Sequence, residues 1–162
     1  MKVIFKLFGL VLLAFLAGCA TMGPVGYQTF GNKPGQALVH IYRESKFAAS
    51  GVSADVLVDG KVIGTIPNGS FLAAYVKPGA HTIEVKFGAL NKLWYKDQKA
   101  ELTLNEGDRR FVRLDLTITS LTVIGPFANS TWTTGLGDVP EPLAVKEMQR
   151  LGLNNNPDQT VQ

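Results

Sequence analysis

Two histidines, His40 and His81, are the first side chains in this 162-residue chain that could move a proton or hold a metal. Neither lies in an HExxH pattern or has a second histidine or a cysteine pair at ligand spacing, so both are expected to be structural or exposed. Ser45, Ser50, Ser53 and Ser70 lack the Gly-x-Ser-x-Gly elbow that presents a nucleophile. The carboxylates fall in turns or on alternating polar positions, where solvated charge is their expected role. Asn68-Gly69-Ser70 is a turn before it is a ligand site. No catalytic residue, metal site or cofactor is therefore expected. One segment differs: Arg43, Lys46 and Phe47 place two cations and an aromatic ring among small residues, as a candidate binding loop. Phe47 either folds down as a lid on the core, with Arg43 paired to Glu44 or another acid, or forms a binding edge; the lid is the preferred reading. Trp94 and Tyr95 form a second aromatic spot, with the same choice.

The one cysteine has a more definite chemistry. Lys2 and Lys6 precede the eleven uncharged residues 7–17, and small residues follow, in the order of a secretory signal. A spanning helix needs about 20 apolar residues, so this run is too short for one. Leu16, Ala17, Gly18 and Cys19 resemble the bacterial lipobox. That resemblance implies cleavage between Gly18 and Cys19, diacylglyceryl transfer to the Cys19 thiol, and acylation of the new amino group by a fatty acid such as palmitate. A single acyl chain, at about 0.8 kcal/mol per buried CH₂, holds a protein marginally, whereas two or three anchor it stably. Ala20, where an Asp would retain such a protein in the inner membrane, points to the outer membrane of a diderm envelope, facing the periplasm. Once Cys19 is lipidated no thiol is left for a disulfide or a metal, so the apolar core alone must hold the domain.

A 46% hydrophobic and 18% charged composition is that of one globular domain. The net charge of +3 and pI near 9.0 would suit nucleic acid if the charge were clustered. Loss of Lys2 and Lys6 leaves 14 of the 16 basic residues against 13 acidic ones, interspersed along the chain. Nucleic acid is therefore not an expected partner.

The elements that must position these residues read as strands. Residues 20–36, with Gly23, Pro24, Gly26, Gly31, Pro34 and Gly35, are expected to be a flexible tether. From Ala37 to Arg43 both alternating faces are partly apolar, which suits the inside of a sandwich. Asp59-Gly60 between Val56-Leu57-Val58 and Val62-Ile63 predicts a type I′ hairpin. Pro67-Asn68-Gly69 and Pro78-Gly79 introduce two more strands, and in the second Thr82, Glu84 and Lys86 alternate with Ile83, Val85 and Phe87, one wet face and one dry. Ala100, Leu102 and Leu104, then Val112, Leu114, Leu116 and Ile118, continue the pattern. Residues 121–127 are either a final short strand or a covering loop, and the pattern leaves both open. Asp138 is expected to cap a helix near 142–151, with Leu143, Met148 and Leu151 on one face and Gly152 as its stop. The expected fold is mainly β, an antiparallel β-sandwich of about seven strands over residues 37–127. A signal peptide (1–18) and a lipidated N-terminus with tether (19–36) precede it, and a linker, short helix and disordered tail (128–162) follow.

Four runs in this order, Ala37-Leu-Val-His-Ile-Tyr-Arg43, Val58-Asp-Gly-Lys61, Ile66-Pro-Asn-Gly-Ser-Phe71 and Val76-Lys-Pro-Gly-Ala-His-Thr82, resemble the bacterial lipoprotein family termed domain of unknown function 2846. The resemblance spans roughly residues 36–120. The hairpin followed by Pro-Gly and a strand is also similar to PEGA-type surface modules, small β-sandwiches without catalytic activity. These likenesses imply an envelope location and a sandwich, and no ligand. The expected function is a membrane-anchored, non-catalytic module that binds or scaffolds an envelope protein or a glycan. The competing expectations are an envelope hydrolase acting on peptidoglycan and an accessory lipoprotein of a secretion or pilus assembly.

Overall fold

Asp59 and Gly60 take φ of 51° and 79°, the left-handed pair a type I′ turn requires. They join β2 (Ala54–Val58) to β3 (Lys61–Ile66) as the Asp-Gly signal predicts. The computed structural model describes residues 25–124 and 127–158, so the expected signal segment and its cleavage site at Gly18 and Cys19 lie outside the described residues. On the other side of β2 lies β5 (Gly79–Phe87), and β6 (Gln98–Leu104) pairs with β5, giving an antiparallel four-stranded sheet of order β3-β2-β5-β6. Buried and more exposed residues alternate along β5 and β6, as their wet and dry positions predict.

The second sheet is built differently. Its order is β8-β7-β1-β4-β9, with β1 (Ala37–Arg43), β4 (Ser70–Val76), β7 (Arg109–Ile124), β8 (Phe127–Asp138) and β9 (Gly152–Leu153). Pairing is antiparallel except that β1 lies parallel to β7 and β4 parallel to β9. Every residue of β1 and β4 is buried, because both faces of this sheet are covered. The inner face packs Val39, Ile41, Leu72, Ala74, Val112 and Leu114 against Val56, Val58, Ile83 and Val85 of the other sheet. The two sheets thus form a β-sandwich. The outer face, with Leu38, His40, Tyr42, Phe71, Tyr75 and Phe111, is covered by a third layer: Tyr27 and Phe30, and the helix α1 (Glu141–Met148) with Ala144, Met148 and the following Leu151.

This third layer overturns several expectations. Residues 25–36 are not a free tether but a strap on the sheet. Gly26 donates to the Leu151 carbonyl (2.8 Å), the Tyr75 hydroxyl to the Gly31 carbonyl (2.6 Å) and Arg109 to the Phe30 carbonyl (2.8 Å). Lys33 lies over the Tyr75 ring at 4.2 Å from its centroid. A sheet with two apolar faces exposes one unless something lies on it, and burying each large side chain is worth about 1.5–3 kcal/mol. Glycines and prolines read as slack, yet Tyr27 and Phe30 carry the packing.

The chain beyond residue 127 is not a linker either. It forms the twelve-residue β8, paired with the end of a sixteen-residue β7, so residues 121–124 and Phe127 are strand. The seven strands expected up to residue 127 are present as β1–β7, and β8 and β9 add two more among the described residues. Asp138 ends β8 and pairs with Arg110 (2.7 Å) instead of capping α1. The helix runs over 141–148, with Pro140 at its N-cap. Leu143 is exposed while Ala144 and Met148, one turn apart, face the sheet. Gly152 enters β9 rather than acting as a stop. The tail is ordered as far as it is described: Asn155 accepts the Ala73 N–H (3.0 Å) and donates to the Ala73 carbonyl (2.7 Å), imitating one residue of a neighbouring strand.

Candidate functional site

Arg43 ends β1, and the chain leaves the sandwich there for residues 44–53. The guanidinium is buried and donates to the carbonyls of Val52 (2.5 Å) and Ala49 (2.6 Å), so it ties the loop's return limb to the strand it left. Burial lowers its pKa from the usual arginine value, and the nearby Tyr95 opposes that shift. Arg43 pairs with carbonyls and not with Glu44 or another acid, and Phe47 is 99% exposed rather than folded onto the core. Neither part of the lid expectation holds: Ala49 and Val52, not Phe47, pack against the core from this loop, and Arg43 is tied to the loop's carbonyls.

Lys46 is the third predicted loop residue, and it opens a network the sequence did not reveal. Its ammonium lies 3.2 Å from Asp115 and 3.7 Å from Glu44. Asp115 accepts from Arg113 Nε (2.8 Å), and Arg113 Nη1 donates to both oxygens of Glu147 on α1 (2.9 and 3.2 Å). The Tyr42 hydroxyl donates to the same Glu147 (2.5 Å). Burial, then the hydrogen bond and charge of Glu147, raise the Tyr42 phenol above its usual value, so it stays a donor. Partial burial alone would lower Arg113, but its bonds to Asp115 and Glu147 prevail and raise it. The lone pairs of both carboxylates are thus committed to fixed cations, which suits positioning rather than proton transfer. Register explains the assembly: Tyr42 lies opposite Arg113 on neighbouring parallel strands, with α1 passing above.

Beside this network, α1 and the start of the loop enclose an open groove of about 840 Å³. Its walls are Glu44 and Ser45 on one side and Leu143, Lys146, Gln149 and Arg150 on the other. Among the described residues neither Lys146 nor Arg150 has an ion-pair partner, so the groove offers two uncommitted cations next to apolar surface. The floor is rigid because the loop is pinned twice more: the Lys46 N–H donates to Asn68 Oδ1 (3.1 Å), and Ser45 packs against Gly69, where a Cβ would come within 3.2 Å. Asn68-Gly69-Ser70 is therefore a turn that also holds the loop.

The remaining predicted residues are elsewhere. His40 is fully buried between Tyr27, Phe30 and Phe111, stacked on Phe111 at 4.6 Å, and neither ring nitrogen has a partner among the described residues. Burial, and then the Arg109 charge, push its pKa down to about 3, so it is neutral at physiological pH. His81 lies at the opposite end, where its nitrogens meet Asp59 and the Lys77 carbonyl, each at 2.6 Å, and brace the hairpin turn. Tyr95 is buried against Phe87 and Trp132, while Trp94 next to it points outward. No group of three or more His, Cys, Asp or Glu close enough to hold a metal occurs among the described residues.

A two-sheet sandwich with a helix and a strap on one face, and a polar groove beside that helix, is the architecture of a small β-sandwich domain. The chain belongs to the family described as "Protein of unknown function (DUF2846)", whose model matches residues 33–127. The matched region ends where β8 begins, so it supplies the loop wall of the groove and leaves the α1 wall outside. No curated protein and no solved structure matches the chain.

Proposed function

We propose that this protein is a lipid-anchored module of the cell envelope, held through Cys19 on a membrane facing the periplasm. In this reading it uses the groove between α1 and residues 44–47 to bind a carboxylate-bearing protein or glycan. The observation that carries the binding reading is the contrast inside the groove. Glu147 is already held by Arg113 and Tyr42, while Lys146 and Arg150, beside Leu143, have no ion-pair partner among the described residues. Unpaired cations on a rigid concave surface supply specificity for an anionic partner. Against a peptidoglycan hydrolase, Glu147 is tied to Arg113 and Tyr42 rather than free to exchange a proton. Glu44, the groove's other carboxylate, has only Lys46 at 3.7 Å among the described residues. The lipid reading rests on the Leu16-Ala-Gly-Cys19 run directly after residues 7–17.

Two measurements test this. Cys19→Ser should abolish labelling by a fatty-acid probe, because a hydroxyl does not replace the thiolate in acyl transfer; equal labelling of both forms refutes the anchor. A photo-crosslinker at Leu143 in the full chain should capture a discrete envelope protein or glycan strand, and Lys146→Glu with Arg150→Glu should remove that product. Persistence of the product after charge reversal would refute the groove as the binding surface.

A further inference from the structure

One end of the sandwich carries the most exposed of the large apolar side chains, while Val62, Ile118 and Leu143 are exposed on other parts of the chain. Arg43, at the end of β1, pairs in register with Ser70, Ser70 with Gly152, and Gly152 with Val25, so the chain emerges from its N-terminal segment at the Arg43 end. Residues 44–53 leave from that end and return at Ala54, opposite Phe87, from which residues 88–97 depart. The paired strands β7 and β8 run past the end of β1 on the same side. On this end Phe47 is 99% exposed, Leu90 79%, Leu93 72% and Trp94 56%.

These side chains are held out by braced backbone. Beneath Trp94, Tyr95 is buried between Phe87 and Trp132, and Asp97 accepts the Phe87 N–H (2.9 Å) while pairing with Lys92 (2.9 Å). Beneath Phe47, Arg43 holds the loop by two carbonyls. A water-exposed set of one Phe, two Leu and one Trp on fixed loops marks an interaction surface. Tryptophan with leucine is the pairing that settles at a bilayer interface.

We propose that this end of the sandwich rests on the lipid bilayer, with Phe47, Leu90, Leu93 and Trp94 in the interfacial layer. This rests on the lipid-anchor reading above. The length of chain outside the domain selects the bilayer over other occupants. Cys19 and Val25 are six residue steps apart, and at about 3.3 Å each these reach roughly 20 Å, so an anchored domain is held close to the headgroups at the end where Val25 emerges. The opposite end of the seven-residue β1 lies about 23 Å further along the strand. Anchoring makes contact intramolecular, so a weak apolar surface suffices. Charge contributes modestly, because Lys92 is paired with Asp97 and Lys46 with Glu44 and Asp115, which leaves Lys96 beside Trp94 as the loop's exposed cation. Docking should therefore survive high salt, with at most a small weakening.

The test uses the full lipidated chain in phosphatidylethanolamine and phosphatidylglycerol vesicles containing acyl-brominated lipid. The chain has two tryptophans, so Trp94→Phe leaves Trp132 alone. Wild-type emission should shift to the blue and be quenched in low and high salt, and Trp94→Phe should lose most of that quenching. Leu90→Asp with Leu93→Asp should lose it too while acyl labelling and flotation with vesicles persist. Wild type that is labelled and floats but is not quenched overturns docking and leaves the anchor intact. So does emission that changes with protein concentration and not with brominated lipid, which marks a second copy as the occupant. Wild type that is neither labelled nor floated overturns anchor and docking together.

Discussion

The two sheets of this sandwich solve burial in opposite ways. The four-stranded sheet keeps one face wet, as in β6, where Lys99, Glu101 and Thr103 alternate with less exposed neighbours and Lys99 pairs with Glu101. The five-stranded sheet has no wet face along β1 or β4, so it demands a cover, and the strap, α1 and the tail supply it. The difference teaches that a strand apolar on both sides predicts an additional layer even where the flanking sequence looks like linker. It also places the candidate groove, which exists only because α1 lies over the second sheet.

The largest expected effect tests whether that cover is part of the fold. Phe111 is buried under the strap and helix, in contact with His40 and Tyr27. Phe111→Ala should lower stability by about 3–5 kcal/mol, read as a fall in denaturant midpoint at unchanged slope. A loss below about 1 kcal/mol would show that the third layer is an appendage and that the comparison fails.

His40 tests the same layer by proton. Its pKa is about 3 when folded against about 6.5 when exposed, so between those values the unfolded chain takes up a proton that the native state excludes. The stability due to neutral His40 is therefore complete above about pH 6.5 and is lost as pH falls, by about 1.4 kcal/mol per unit, or about 2 kcal/mol at pH 5. His40→Leu should flatten that part of the stability curve. Parallel wild-type and variant curves between pH 7 and 5 would mean that water reaches the ring.

A smaller effect compares the sheet edges. Asn155→Ala removes both bonds to Ala73 and should cost about 1–3 kcal/mol, at about 0.5–1.5 kcal/mol for each hydrogen bond. Lys99→Ala on β6 should change stability by no more than about 0.5 kcal/mol. Equal effects from thermal melts of the two variants would erase the distinction between a covered edge and a solvated one.

The four-stranded sheet was legible because alternation and turn chemistry are local signals: Asp59-Gly60, Pro78-Gly79 and the Thr82 to Phe87 pattern each sit within a few residues. β1 was legible as doubly apolar, but what covers it comes from more than a hundred residues away in α1 and from a glycine-rich segment whose two rings do the packing. β8 was hidden because Asn129, Ser130, Thr131, Thr133 and Thr134 give a strand without hydrophobic alternation, and threonine's β preference was the signal available. Of the site, Lys46 was found, Arg43 was found with the wrong role, and Arg113, Glu147, Lys146 and Arg150 were missed, since register and helix placement bring them together.

The smallest expected effect is at Phe47, and it separates the core of the molecule from its proposed membrane end. A 99% exposed ring contributes no buried area, so Phe47→Ala should change the stability of the protein in detergent-free solution by no more than about 0.5 kcal/mol. The same change removes apolar area from the surface proposed to rest on lipid, so quenching of Trp94 by brominated lipid should weaken while stability holds. Phe111 and Phe47 are thus a matched pair: one ring carries fold stability and is silent to lipid, and the other is silent to denaturant and read by lipid. A drop of more than about 1 kcal/mol for Phe47→Ala would mean that the ring folds onto the domain in solution after all, and the loop would then be a lid.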